Sequence, residues 1–370
     1  MKINPFDSLI FLFTKLLRSL DKRKADIKDL NPDKIKNILV VSSTAIGDTL
    51  LSTPAIRAVR EQYPHAKIIG HFNAKNMELF ENNPHIDGII PYYGGYKKFF
   101  KTVKEFRKHK FDLVLIFHGN EPQATPMAYL SGAKFIYKIP IPKQYEFLLS
   151  NTDSGFDNPW NHHAIDVRLK TASFAGCNGQ NKEMVLIVDK NAEYFIDNFL
   201  ESANIIGQDL IVGFQAGAAT KFKMWPETKF IELGKRLLQY KPNINIMVIG
   251  SRDEKDLCNF IAKSIGDRAL SIAGRLSLKQ LTALIKKLTV LVTNDTGAMH
   301  MAIALRTRTV SMFCPTNAWG VGPLQDIHLH KVIQKDRPCN PCISKQCKKP
   351  FCMGLISTDE AFKSVSEFLA

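Results

Sequence analysis

Along most of the chain, short continuous apolar runs alternate with stretches whose apolar positions recur at helical spacing. Ile38-Leu39-Val40-Val41, Lys67-Ile68-Ile69-Gly70-His71-Phe72, Asp112-Leu113-Val114-Leu115-Ile116-Phe117 and Phe135-Ile136-Tyr137 read as strands, with helical stretches such as 55–62 and 99–109 between them. A second series follows, Leu210 to Phe214, Ile244 to Gly250, Ala269 to Ile272, Val290 to Thr293 and Thr309 to Phe313. Runs that are apolar without alternation mark parallel strands covered on both faces. Two successive βα series predict two doubly wound α/β domains facing each other across a central cleft, with the boundary near residues 176–208. The expected division is a basic amphipathic leader (1–34), a first domain (35–180), a linker region (181–208), a second domain (209–335) and a cysteine-rich tail with a terminal helix (336–370).

Composition narrows the class. The 370 residues are 45% hydrophobic, which excludes disorder and allows two cores of ordinary size. The apolar part of the leader, Leu9 to Leu20, is broken by Thr14, Lys15, Arg18 and Ser19 and falls short of the roughly 20 residues a spanning helix needs. Its charges follow the apolar stretch (Lys22, Arg23, Lys24) and no small-residue cleavage site succeeds it, so a cytoplasmic location is expected. Fifty basic against 35 acidic residues leave a net charge of +15, which favours anionic partners: nucleic acid, anionic lipid or phosphorylated small molecules.

Ligands of doubly wound sheets bind beyond the carboxyl ends of the strands, which singles out four junctions. After the first strand, Gly47 permits a tight turn and Asp48 is either a general base or a helix cap. The loop 215–226 offers small residues, the Thr220 hydroxyl and the charges of Lys221 and Lys223 to an anion, ahead of a helix starting at Pro226. Asn294-Asp295-Thr296-Gly297 opens a helix whose N-terminus suits a pyrophosphate, with Asp295 read as the cap and His300 as structural. Beyond Ile249, Asp253 or Glu254 is placed either to accept from a ribose diol or to start a helix. The chain has neither a P-loop nor a Gly-x-Gly-x-x-Gly fingerprint after its leading strands, which speaks against an ATPase or a standard dehydrogenase.

In this order, Ile38 to Pro54, Gly217 to Pro226 with its Lys-x-Trp-Pro, Asn294 to His300 with its Asp-Thr-Gly-x-x-His, Phe313-Cys314-Pro315-Thr316 and Gly322-Pro323 resemble glycosyltransferase family 9, the heptosyltransferases of the lipopolysaccharide inner core. The tail Pro338-Cys339-Asn340-Pro341-Cys342, with Cys347 and Cys352-Met353, resembles an ending found in part of that family. The resemblance implies a GT-B fold of two Rossmann-like domains, an acceptor domain followed by one for a nucleotide-sugar, ADP-L-glycero-D-manno-heptose. It also implies transfer with inversion and no required cofactor, a divalent cation being left open. Carried over, Asp48 is the base, Lys223 neutralises the departing diphosphate, Thr220, Asp295, Thr296 and Gly297 surround the phosphates, and Glu254 holds the ribose. His118-Gly119-Asn120, at a strand end of the first domain, has no assigned role.

Two features remain. The stretch 97–110 places Phe99, Val103 and Phe106 on one helical face and basic residues elsewhere, which together with the leader suggests an anionic inner-membrane surface as a partner. Cys339, Cys342, Cys347 and Cys352 form a candidate metal cluster, although structural zinc sites usually separate two Cys-x-x-Cys pairs by a longer loop. The alternatives are a GT-B transferase using another nucleotide-sugar, such as a UDP-hexosamine, and a basic nucleic-acid-binding protein. The second is disfavoured because no recognition-helix, zinc-finger or RNP pattern is present.

Overall fold

The computed structural model describes residues 5–21, 27–118, 122–142, 144–205, 207–339, 342, 347 and 350–370. Lys22-Arg23-Lys24, Gly119-Asn120 and Asn340-Pro341 therefore lie outside the described residues. The chain divides into two compact units, Met1–Val185 and Leu186–Ala370.

The first unit contains α1 (Pro5–Leu20), β1 (Asn37–Ser42), α2 (Ile46–Leu50), α3 (Thr53–Gln62), β2 (Lys67–Asn73), β3 (Gly88–Tyr92), α4 (Phe99–His109), β4 (Leu113–Ile116), α5 (Ala124–Leu130), β5 (Phe135–Lys138) and α6 (Ala164–Ser173). Its five strands are all parallel in the order β3-β2-β1-β4-β5. Ile38, Leu39, Val40 and Leu113 to Ile116 have next to no exposed surface, because helices cover both faces. One side of the sheet builds a core from Leu39, Val41, Ile69, Val114 and Ile116 against Phe99, Val103 and Phe106 of α4 and Met127 of α5. The aromatic face of the basic helix is thus accounted for by packing.

The second unit contains α7 (Lys190–Ser202), β6 (Leu210–Gln215), α8 (Glu227–Tyr240), β7 (Ile244–Ile249), α9 (Lys255–Ile265), β8 (Ala269–Ser271), α10 (Leu278–Lys287), β9 (Val290–Asn294), α11 (Gly297–Ala304), β10 (Thr309–Phe313), α12 (Ala318–Val321), β11 (His330–Gln334) and α13 (Thr358–Leu369). Its six parallel strands run β11-β10-β9-β6-β7-β8. The stretch expected as a linker holds α7, whose Asp189 cap accepts from the Ala192 N–H at 3.0 Å. The last helix packs Ala361, Val365 and Leu369 into the same core as Trp225, Phe230 and Val292.

Each order reverses direction once, between β1 and β4 in the first sheet and between β6 and β9 in the second. At such a switch point the two adjacent loops leave in opposite directions and open a crevice beyond the strand ends.

Candidate active site

In the first unit the switch point gathers four side chains around Asp48. The carboxylate lies in the first turn of α2, just after β1, and its side chain is 32% exposed. Thr44 Oγ1 donates to Oδ2 at 2.8 Å, Arg168 Nη2 donates to Oδ1 at 3.2 Å, and His118 Nε2 stands 3.4 Å from Oδ1. His118 arrives there because it follows β4, the neighbour of β1. Arg168 reaches in from α6, where its guanidinium is buried and also donates to Ser52 Oγ at 2.9 Å and Ala164 O at 2.7 Å. Ser52 in turn donates to the Asp48 carbonyl at 2.8 Å.

Burial alone would push the Asp48 carboxyl up, but the hydrogen bond and charge of His118, the Arg168 guanidinium and the Thr44 hydroxyl hold it well below the usual carboxylate range. It is therefore ionised at any physiological pH. Burial also lowers the Arg168 pKa, and Asp48 opposes that shift. The cap reading of Asp48 is corrected by this geometry. The N-cap of α2 is Ala45, no side chain caps the helix, and the carboxylate faces Thr44, Arg168 and His118 instead of backbone N–H groups. Gly47 is also different from expectation: it is a buried residue inside α2 and not among the residues of positive φ.

In the second unit the switch point brings the loop after β6 against the loop after β9. Lys223 Nζ donates to Asp295 Oδ2 at 2.6 Å, the two side chains being 26% and 9% exposed. Asp295 is thus an ion-pair partner and not the cap of α11; that position is taken by Thr296, with no side-chain cap bond. Thr296 Oγ1 lies 3.3 Å from Thr293 Oγ1, and Gly297 begins the helix. Thr220 Oγ1 is buried and has no hydrogen-bond partner among the described residues. A buried hydroxyl of this kind is costly unless something accepts from or donates to it.

Two residues that lie in the sequence motifs but carry no candidate role there, Asn294 and Trp225, hold this loop. Buried Asn294 donates to Ala216 O at 2.9 Å and accepts from the Trp225 N–H at 2.9 Å, which ties the start and end of the Lys223 loop to β9. Trp225 is buried, with Nε1 donating to Ile356 O at 3.1 Å. Beyond β7, Glu254 Oε2 accepts from the Ser251 N–H at 2.7 Å in a capping box, which is the helix-start reading of this residue. A Cβ at residue 217 would fall 1.8 Å from Glu254 Oε1, so only glycine lets the carboxylate lie against the loop that carries Thr220 and Lys223. His300 is buried within α11, as a structural histidine would be.

The tail cysteines stand behind this loop. Cys339 is exposed and Cys342, Cys347 and Cys352 are half-buried; all are free thiols, and with Phe222 and Phe351 they line a cavity of about 40 Å³. Burial, then neighbouring Cys352, pushes the Cys314 thiol up to about 11. Among the described residues no three His, Cys, Asp or Glu side chains are placed to hold a metal ion.

The matches with known proteins agree with this architecture. The model of glycosyltransferase family 9 (heptosyltransferase) matches residues 99–352. Lipooligosaccharide heptosyltransferase 2 of Campylobacter jejuni is 23% identical over 90% of this chain and 98% of its own length. Lipopolysaccharide heptosyltransferase 2 of Salmonella typhimurium is 30% identical over 80% of this chain and 87% of its own. Among solved structures, the ADP-heptose lps heptosyltransferase II of E. coli superposes with a TM-score of 0.74 at 20% identity, covering 90% of this chain and 98% of that one.

Proposed function

The chain belongs to glycosyltransferase family 9, and we propose that this glycosyltransferase moves a heptose from ADP-L-glycero-D-manno-heptose to the inner core of lipopolysaccharide, with inversion at the anomeric carbon. The observation that carries the donor half is the seat at the second switch point. There the Lys223 ammonium, the Thr220 hydroxyl with no hydrogen-bond partner among the described residues, and the N-terminal turn of α11 at Thr296 and Gly297 come from two adjacent strand ends. Cleaving the bond from sugar to phosphate builds negative charge on the diphosphate, and fixed donors of this kind stabilise that charge without reorganising. Asp295 keeps Lys223 in place and is the group the diphosphate displaces from it. Glu254, beyond the next strand, receives the ribose diol.

Inversion requires the acceptor hydroxyl to attack the anomeric carbon from the face opposite the diphosphate, a single displacement comparable to inverting glycoside hydrolysis. Asp48 accepts the hydroxyl proton. Its depressed pKa makes it a weak base, so proton transfer runs late, once bond formation has made the hydroxyl acidic. The first unit is then the acceptor domain. Because that acceptor is lipid-anchored, the enzyme works on the cytoplasmic face of the inner membrane; no described helix is long and apolar enough to cross it.

The test is release of ADP from ADP-heptose with heptose-deficient core acceptor, run beside a UDP-hexosamine, together with mass spectrometry of lipopolysaccharide from cells lacking the protein. Transfer from the ADP-sugar and a core truncated at a heptose are expected. Turnover with the UDP-sugar alone would overturn the donor assignment.

A further inference from the structure

Helix α1 is apolar on two sides. Ile10 and Thr14 are buried and Phe6, Phe11 and Leu17 pack on the first unit's core, while Leu9, Leu12, Phe13, Leu16 and Leu20 are 61%, 64%, 46%, 61% and 73% exposed. The exposed five follow the i, i+3, i+4, i+7, i+11 spacing of one continuous stripe. The helix is fastened to the body and is not a loose tail. Asp7 accepts from Tyr145 OH at 2.8 Å and from Tyr96 OH, and Tyr129 OH donates to Asp21 at 2.9 Å just past its end. A stripe of this size held outward is a docking surface.

What covers it follows from its neighbour. At one end Phe6 makes edge contacts with Phe99 and Phe100 of α4, at 6.4 and 6.2 Å between ring centres. At the other, Leu20 shares an open groove with Arg107, Lys110 and Lys134. α1 thus meets the start of α4 through Phe6 and shares a groove with the end of α4 through Leu20, and α4 with its preceding turn exposes Lys97, Lys98, Lys101, Lys104, Arg107 and Lys108. The one carboxylate of α4, Glu105, is engaged by Lys108 at 2.8 Å. Phe100, 62% exposed, and Tyr93, with Lys98 Nζ 3.4 Å from its ring centre, extend the apolar surface into the basic one.

We propose that this face of the first unit, the outward stripe of α1 flanked by the lysine rail of α4, seats the enzyme on an anionic phospholipid surface. The leucines and Phe13 enter the boundary between headgroups and acyl chains while the lysines and Arg107 meet lipid phosphates. A second protein copy would bury the stripe but would set the lysine rails of like charge near one another, and an anionic lipid layer satisfies both halves of the surface. The inference rests on the proposed function, in which the acceptor is anchored in such a layer.

The experiment uses the full chain with vesicles of phosphatidylcholine, with and without phosphatidylglycerol, at low and high salt. The parent binds the phosphatidylglycerol vesicles, and Leu12→Ser/Leu16→Ser weakens that binding by about tenfold or more. Lys101→Gln/Lys104→Gln weakens it several-fold at low salt and little at high salt. Both variants keep the parental rate on a delipidated, water-soluble acceptor. If Leu12→Ser/Leu16→Ser melts early, Leu9→Ser/Leu20→Ser on the same stripe replaces it. Equal vesicle binding by parent and stripe variants, or a dimer that the stripe variants dissociate and that ignores vesicles, overturns the proposal. The expected vesicle pattern without any glycosyl transfer would support the surface and overturn the proposed function alone.

Discussion

At the scale of single residues, Asp48 and Lys223 stand out in the sequence because each follows an apolar run, whereas the pairings they make do not. Arg168 is about 120 residues from Asp48 in the chain and lies in an unremarked helix, and nothing in its local sequence points to a carboxylate. The network makes Asp48→Asn a two-part test. Turnover should fall roughly 100- to 10,000-fold because the amide cannot take a proton, while ADP affinity barely changes. Stability should also fall, by about 1–3 kcal/mol, because buried Arg168 loses its charged acceptor. Parental turnover would remove Asp48 from the mechanism. Arg168→Gln removes a charge that depresses the Asp48 pKa, so that pKa rises and the acid limb of kcat/KM moves to higher pH; an unmoved limb would mean that Arg168 supports only the fold. Lys223→Ala should lower kcat/KM by roughly 100-fold and leave Asp295 facing the diphosphate unpaired. Adding Asp295→Asn to it should restore part of the donor affinity, a non-additivity that a double-mutant cycle measures.

At the scale of elements, the central strands and the edge strands β5 and β8 stand out in the sequence, whereas the edge strands β3 and β11 do not. β3 carries Pro91 and β11 reads His-Lys-Val-Ile-Gln, each at the border of its sheet, where one side lacks a neighbour and continuous apolar sequence is not required. Two histidines are buried on or beside these edge strands. His71 on β2 donates from Nδ1 to Ile90 O at 2.9 Å, and His330 on β11 lies 3.0 Å from Thr309 Oγ1. Burial lowers each pKa to about 4. Since the folded value lies below the unfolded 6.5, the unfolded chain binds more protons between those limits, and stability falls as pH drops from about 6.5 towards 4. For fully buried His71 the loss between pH 7.5 and 5 is roughly 2 kcal/mol. Thermal unfolding of His71→Phe at the two pH values should show a smaller gap than the parent; an equal gap would place the acid sensitivity elsewhere.

At the scale of the whole molecule, each unit has its own sheet and its own core, and every residue assigned to the donor lies after Val185. Residues 186–370 expressed alone should therefore fold cooperatively and bind ADP within a few-fold of the full chain; a fragment that folds but does not bind would place part of the donor site in the first unit. Much of this plan is local information. The lengths and full burial of the inner strands, the helical faces between them, the small residues beyond their carboxyl ends and the basic excess are all written in consecutive residues, because burial on both faces of a parallel sheet demands unbroken apolar runs. Ordered motifs behind those runs were enough for the family. Strand order was not readable, and it is what puts His118 beside Asp48 and the Lys223 loop beside Asp295. The same holds for Arg168, for Asn294 binding two loops together, and for which face of α1 turns outward. Such pairings depend on which distant segments lie side by side, and a pattern of neighbouring residues carries the period of an element but not the identity of what it packs against.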